Sequence, residues 1–202
     1  MSAVSQTNTL IFDLFGVVIS FDDDLVSKRL ARHCAMPELA YPALRDIVSR
    51  PALITGQLSL GQLHQQLVTE HGLALGMPAF ETVWLEPYSQ AMPGMADLIA
   101  YLSQRYRLVL LSNVDKYYWN VVLQMHPELA YFQSLLPSWE LGVAKPNRQG
   151  FRLAIGRDAP ASCYFIDDKA DNIEAAQALG IQGHLFRGAQ SLVRALEEVG
   201  VR

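Results

Sequence analysis

Cysteine is scarce in this chain, and so is charge. The two cysteines among 202 residues, Cys34 and Cys163, lie far apart and match no metal-ligand or redox spacing. They read as reduced thiols of a cytoplasmic protein. Charged residues make up only 18%, with a formal net charge of −4, so nothing argues for nucleic acid or an acidic membrane surface as a partner. The acidic run Asp22-Asp23-Asp24 is too short for an acidic tail. No apolar stretch approaches the ~20 residues that span a bilayer. The first ten residues lack the basic-then-apolar order of a secretory signal. His33, His64, His71, His126 and His184 show no metal spacing, and neither repeats nor low-complexity tracts occur. With half its residues hydrophobic, the chain has the composition of a folded globular protein.

Short continuous apolar runs at 9–12, 108–111 and 163–166, with a weaker one at 182–186, read as strands buried on both faces. Helical spacing follows at 148–155, 170–179 and 190–199, the last two closed by Gly180 and Gly200. This alternation predicts an α/β fold with a Rossmann-like parallel sheet. Between about 22 and 87 no buried-strand run appears. Helical periodicities there (24–32, 42–49, 60–71 and 78–85) are punctuated by Pro37, Pro51, Gly56, Gly72 and Gly76. A small helical insertion is expected, with 87–94 as the return linker. The expected division is a core of 1–20 and 89–202 and a helical cap of 21–88.

In open α/β sheets ligands bind beyond the carboxyl ends of the strands. Asp13, Ser112-Asn113 and Asp167-Asp168 all fall at such ends, and Lys145 lies in a loop before a helix. Singly, each carboxylate reads as a helix cap or turn residue, Ser112-Asn113 as a turn and Lys145 as a surface charge. Together they supply what phosphoryl transfer needs. Carboxylates hold a hard cation through oxygen, while a hydroxyl and an ammonium bind phosphate oxygens.

The set Phe12-Asp13-Leu14-Phe15-Gly16-Val17, Leu111-Ser112-Asn113, Lys145-Pro146 and Phe165-Ile166-Asp167-Asp168-Lys169-Ala170-Asp171-Asn172-Ile173 resembles, in order and spacing, the four signature motifs of the haloacid dehalogenase-like hydrolases. The motifs span nearly the whole chain, and the helical insertion is similar to that superfamily's small cap. The resemblance implies a magnesium-dependent hydrolase of small phosphorylated metabolites, near the glucose-1-phosphatase-like branch. It implies Asp13 as the nucleophile that becomes an aspartyl-phosphate and Lys145 as the cation that neutralises nucleophile and phosphate. Ser112 and Asn113 would bind the phosphoryl group. Asp13, the backbone carbonyl of Phe15, Asp167 and Asp168 would hold Mg2+. A small cap is also compatible with a homodimer.

One position departs from the pattern. Most phosphatases of this superfamily carry a second aspartate two residues after the nucleophile, as acid and base; here it is Phe15. General acid–base help is worth ~10²–10⁴-fold, so its loss weakens a phosphatase without abolishing it, least of all for a good leaving group. Two alternatives follow. The 2-haloacid dehalogenases place an aromatic residue at this position and use no metal, but they lack the adjacent acidic pair. A degenerate phosphatase acting as a binding protein is the other. Asp22, Asp23 and Asp24 are candidates to replace the missing acid, and Tyr88 and Trp119 candidates to line the substrate mouth.

Overall fold

The computed structural model describes residues 7–201, apart from the side chain of Asp23. The chain opens with strand β1 (Thr9–Phe12) and the short strand β2 (Ile19–Phe21). Five helices follow: α1 (Asp23–Ala31), α2 (Pro37–Leu44), α3 (Pro51–Ile54), α4 (Leu60–His71) and α5 (Met77–Leu85). Strand β3 (Ser89–Ala91) then pairs antiparallel with β2. The remainder alternates: α6 (Met95–Leu102), β4 (Arg107–Ser112), α7 (Lys116–Met125), β5 (Ser134–Pro137), α8 (Ser138–Leu141), α9 (Arg148–Ile155), β6 (Cys163–Asp167), α10 (Ala170–Gln177), β7 (Gln182–Leu185) and α11 (Ala189–Glu198).

The main sheet is parallel throughout, in the order β5-β4-β1-β6-β7. This is the expected α/β architecture with a Rossmann-like sheet. Side chains along β1, β4 and β6 alternate between two buried faces, which is why these strands read as unbroken apolar runs. Leu10, Phe12, Leu108, Leu110, Tyr164 and Ile166 join one cluster, with Ile99 of α6, Val122 of α7 and Leu192 of α11. Ile11, Val109, Leu111 and Phe165 join the other, with Phe151 of α9 and Ala176 of α10.

The helices between β2 and β3 share the first cluster. Leu30, Leu63, Phe80 and Trp84 pack in one apolar body with Tyr118 of α7. Helix α4 begins where the sequence predicts, because Ser59 and Gln62 form a reciprocal capping box, and it ends on Gly72 in the left-handed conformation. Helix α2 starts earlier than the expected 42–49. Pro37 sits in the first turn, where its missing N–H costs nothing, and 47–49 forms a separate 3-10 turn. The expected return linker contains β3, whose sequence Ser-Gln-Ala has no apolar run to betray it. Strand β5 is likewise unexpected: it is four residues long, lies at the sheet edge and ends in Pro137. Among the described residues no helix is long and apolar enough to cross a membrane.

Phe165 is fully buried on β6, edge-on to Phe151 of α9 at 5.2 Å between ring centroids. Phe165→Ala is expected to cost about 3–5 kcal/mol through lost burial and the cavity left behind. Urea unfolding followed by circular dichroism measures it.

Candidate active site

Three adjacent central strands deliver the site. Parallel neighbours lie ~4.8 Å apart, and Phe12 pairs with Leu110 on one side and Ile166 on the other. One residue beyond that register, Asp13 and Asp167 emerge side by side, with the Asp13 N–H donating to the Ile166 carbonyl at 2.8 Å. Asp168 follows Asp167, and Ser112 closes β4. The carboxylate oxygens of Asp13, Asp167 and Asp168 lie within 4.8 Å of one another.

Lys145 holds this cluster together. Its Nζ lies 2.6 Å from Asp13 Oδ1 and 2.8 Å from Asp167 Oδ2, and the side chain is buried. The loop that carries it, between α8 and α9, has no regular structure to fix it. Asn113 does so instead. Its Nδ2 donates to the Lys145 carbonyl at 2.9 Å, and the Lys145 N–H donates to Asn113 Oδ1 at 2.8 Å. The Lys145–Pro146 peptide is cis.

Asp167 is fully engaged. Besides Lys145, it accepts from the Lys169 N–H at 2.8 Å, and Asn172 Nδ2 donates to both of its oxygens. Burial alone would raise its pKa; Lys145 and these hydrogen bonds outweigh burial and hold it low. Asp168 is the opposite case. Its Oδ1 is buried with no hydrogen-bond partner among the described residues, and burial and the Asp167 charge push its pKa up. Gly16, at φ +83°, makes room for it: a Cβ there would sit 2.5 Å from Asp168 Oδ2. Ser112 Oγ is also buried without a partner among the described residues.

Burial raises the Asp13 pKa to about 8; Lys145 opposes the rise, and Asp167 and Asp168 add to it. Lys145 loses to burial but gains more from Asp13 and Asp167, so its pKa is raised and it stays charged. Three carboxylates against one ammonium leave two negative charges uncompensated when all are ionised. A divalent cation matches that deficit, and an orphaned carboxylate oxygen beside the cluster is a ready ligand. The donor set therefore fits Mg2+, which takes oxygen ligands from one or two carboxylates plus substrate phosphate. Asp13 Oδ2 and Asp168 are the better-placed donors. Asp167, with every strong lone pair in use, is better suited to bracing Lys145.

The cluster opens into a cavity of about 570 Å³. Asp13, Asn113, Lys145, Lys169 and Asn172 line its floor, while Asp46, Val48, Ser49, Pro51, Ile54 and Thr55 line it from the inserted helices. Phe15, Phe21 and Tyr88 make a wall of aromatic carbon. Of the two aromatic candidates for the mouth, Tyr88 lines the cavity, whereas Trp119 is buried in the apolar core. Two of the three candidate replacement acids are engaged elsewhere. Asp22 caps α1 through the Leu25 N–H, and Asp24 pairs with Lys28 and accepts from the Tyr41 hydroxyl. Short-range capping and i,i+4 pairing claim these groups; the side chain of Asp23 lies outside the described residues. The carboxylate that the insertion does present to the cavity is Asp46, which sequence pattern gave no means to single out. Asn172 was legible only as part of its motif. Its place in the first turn of α10 turns its amide back onto Asp167.

The family model of the haloacid dehalogenase-like hydrolases matches residues 7–180. The chain is 25% identical to D-ribitol-5-phosphate phosphatase of Bacteroides thetaiotaomicron, over 86% of this chain and 88% of that one. Among solved structures, a haloacid dehalogenase family enzyme of Bacteroides thetaiotaomicron in complex with magnesium and inorganic phosphate is similar, with a TM-score of 0.78 and 21% identity over 91% of this chain and 96% of that one. The L-2-haloacid dehalogenase of Xanthobacter autotrophicus shares the fold at a TM-score of 0.63 and 17% identity, over 95% of this chain and 83% of that one. Strand order, four convergent motifs and a match over most of the chain agree: this protein is a member of the haloacid dehalogenase-like hydrolase family.

Proposed function

We propose that the protein is a magnesium-dependent phosphatase of small phosphorylated metabolites, with Asp13 as its nucleophile. The observation that carries this reading is the unpartnered Asp168 carboxylate oxygen beside Asp13, in a cluster short of two positive charges. A metal-independent dehalogenase has no use for that group. Similarity to a sugar-alcohol phosphate phosphatase and to a fold crystallised with magnesium and phosphate supports the same choice.

In this reading residues 1–20 and 89–202 form the catalytic core, and 21–88 a cap that closes over the crevice. Contacts across the crevice support closure: Ser138 Oγ donates to the Ile54 carbonyl at 2.5 Å, and the Leu60 N–H to the Tyr117 hydroxyl at 3.3 Å. A closed cap excludes water and strengthens each charge interaction inside. Magnesium, held by Asp13, Asp168 and the Phe15 carbonyl with Asp167 alongside, would supply charge neutralisation on the phosphoryl oxygens.

The chain's own groups do the rest. Asp13 must be ionised to attack, and the burial that raises its pKa also strips its solvation and sharpens its nucleophilicity. Lys145 donates to the attacked phosphoryl group as it releases Asp13. The Ser112 hydroxyl, without a protein partner, is free to donate to a phosphoryl oxygen. Asn113 keeps Lys145 in place and faces the same cavity. Asp13 then carries the phosphoryl group until water removes it.

Asp13→Asn is expected to abolish turnover of phosphorylated metabolites while circular dichroism stays unchanged. Chelator-insensitive turnover of 2-haloacids would replace this reading with the dehalogenase one, and metabolite binding without turnover would favour a binding protein. Magnesium at about 100 times its Kd should stabilise the fold by about 2.7 kcal/mol, at roughly 2–4 °C per kcal/mol for a chain of this size. Thermal unfolding should show that shift in the wild type and lose it in Asp168→Asn. Without divalent cation, Asp13 has a folded pKa of about 8 against 3.8 in the unfolded chain. The folded state then binds the extra proton, so the Asp13 contribution to stability is full below about pH 4 and lost as pH rises through about 8. Asp13→Asn should flatten this dependence in metal-free denaturation curves.

A further inference from the structure

Asp13 faces a wall on which, among the described residues, Phe15, Phe21 and Tyr88 present no carboxyl or imidazole, the single hydroxyl of these three rings being the Tyr88 phenol. Phe15 follows it by two residues, lines the same cavity, and is locked in place by other rings. Its centroid lies 5.3 Å from that of Phe21 in an edge-on contact, 6.3 Å from Tyr88 in a stack and 6.4 Å from Tyr118. Tyr88 is itself stacked on Tyr118 at 3.8 Å, and its N–H donates to the Tyr118 hydroxyl. The whole assembly is anchored in the β2–β3 ribbon, since Phe21 ends β2 and Tyr88 precedes β3. A ring held from three sides does not swing away to admit a carboxyl or an ordered water.

Two other acids among the described residues line the cavity. Asp115 is buried at the start of α7, where its Oδ1 accepts from the Tyr117 and Tyr118 N–H groups. Asp46 is exposed on the insertion, in the segment that also brings Val48 and Ser49 to the cavity. Lys145 lies between Asp13 and Asp167, on the sheet side of the cavity.

We infer that the substrate is a phosphate ester of an acidic hydroxyl carried on a flat ring, one whose oxygen departs unprotonated and whose face lies on the Phe15–Phe21–Tyr88 wall. This inference rests on the phosphatase reading and names the substrate class for that site. In the first step an Asp13 oxygen forms a bond to phosphorus as the bond to the ester oxygen breaks. The electron pair leaves with that oxygen, which takes its proton later from solvent. In the second step water attacks phosphorus and the Asp13–phosphorus linkage breaks. One water proton stays on the phosphate and the other goes to solvent. With no base on the Phe15 wall, this second step is slow, so the phosphorylated form of Asp13 accumulates.

The test is kcat/KM for a series of phosphate monoesters with magnesium, from nitrophenyl through phenyl and benzyl to ethyl, together with a rapid-mixing record of the nitrophenyl ester. The expected result is a steep fall in kcat/KM as the leaving oxygen becomes more basic, and a burst of nitrophenol equal to the enzyme present. Phe15→Asp should restore ethyl phosphate turnover by about 10²-fold, the lower end of what a positioned acid contributes, and flatten the series. A shallow dependence in the wild type overturns the inference while leaving the phosphatase reading standing. No turnover of any ester overturns the phosphatase reading itself. A folded Phe15→Asp enzyme with an unchanged slope also counts against the inference. So does an Asp46→Asn or Tyr88→Phe variant that selectively loses the esters of basic oxygens, because it would identify a donor. Should Phe15→Asp fail to fold, the wild-type slope decides alone.

Discussion

The ammonium of Lys145, held between Asp13 and Asp167, is the interaction on which the site depends. The β1–β6 register puts two carboxylates at neighbouring strand ends, with a third one residue further on. Side by side and buried, they would repel, and one would protonate. A single buried cation with two short contacts offsets one of the three charges. Asp168 is left with an unpartnered oxygen, and in the proposed reading it is there that the cluster takes a divalent cation.

The rest of the site can be ordered by its relation to that ammonium. Asn113 fixes the backbone of Lys145 from the end of β4, and Asn172 and the Lys169 N–H fix its partner Asp167 from the start of α10. Three elements far apart in sequence are thereby tied by polar bonds at the carboxyl edge of the sheet. Apolar packing could not do this, because it has no directional preference at the ångström scale that in-line attack requires. Gly16 works by absence: only a residue without Cβ, and tolerant of positive φ, leaves space for Asp168.

The opposite side of the cavity obeys a different rule. There the ribbon of β2 and β3 supports stacked rings, and the insertion contributes a mixed edge of Asp46, Ser49, Thr55 and Ile54. The clustered charges thus lie on the sheet side, while the ring and insertion side is mostly uncharged apart from Asp46. The two sides meet at Asp13 and Phe15, two residues apart, so in the proposed reading that short turn is both the reactive centre and the boundary of the pocket.

Much of this was legible before any coordinates. Period and length identified β1, β4 and β6, because strands buried on both faces must be apolar throughout, and more weakly β7; Gly180 and Gly200 marked the closing of α10 and α11. The motif residues Asp13, Ser112, Asn113, Asp167 and Asp168 could be singled out because each sits at or just past the end of such a strand, and Lys145 only as part of the set that resembles the family's motifs. Strands β3 and β5 could not, since a three-residue ribbon and a short edge strand need too little hydrophobicity to leave a trace. Roles within the cluster also lay beyond sequence. Whether Asp167 braces Lys145 or stands open to a ligand depends on four hydrogen bonds from three groups on two segments, the loop before α9 and the start of α10, and Asp46 faces the cavity only because the turn after α2 brings it there. Local chemistry was written in the order of residues; which groups share a hydrogen bond, and which is left without one, was decided by the packing that brought them together.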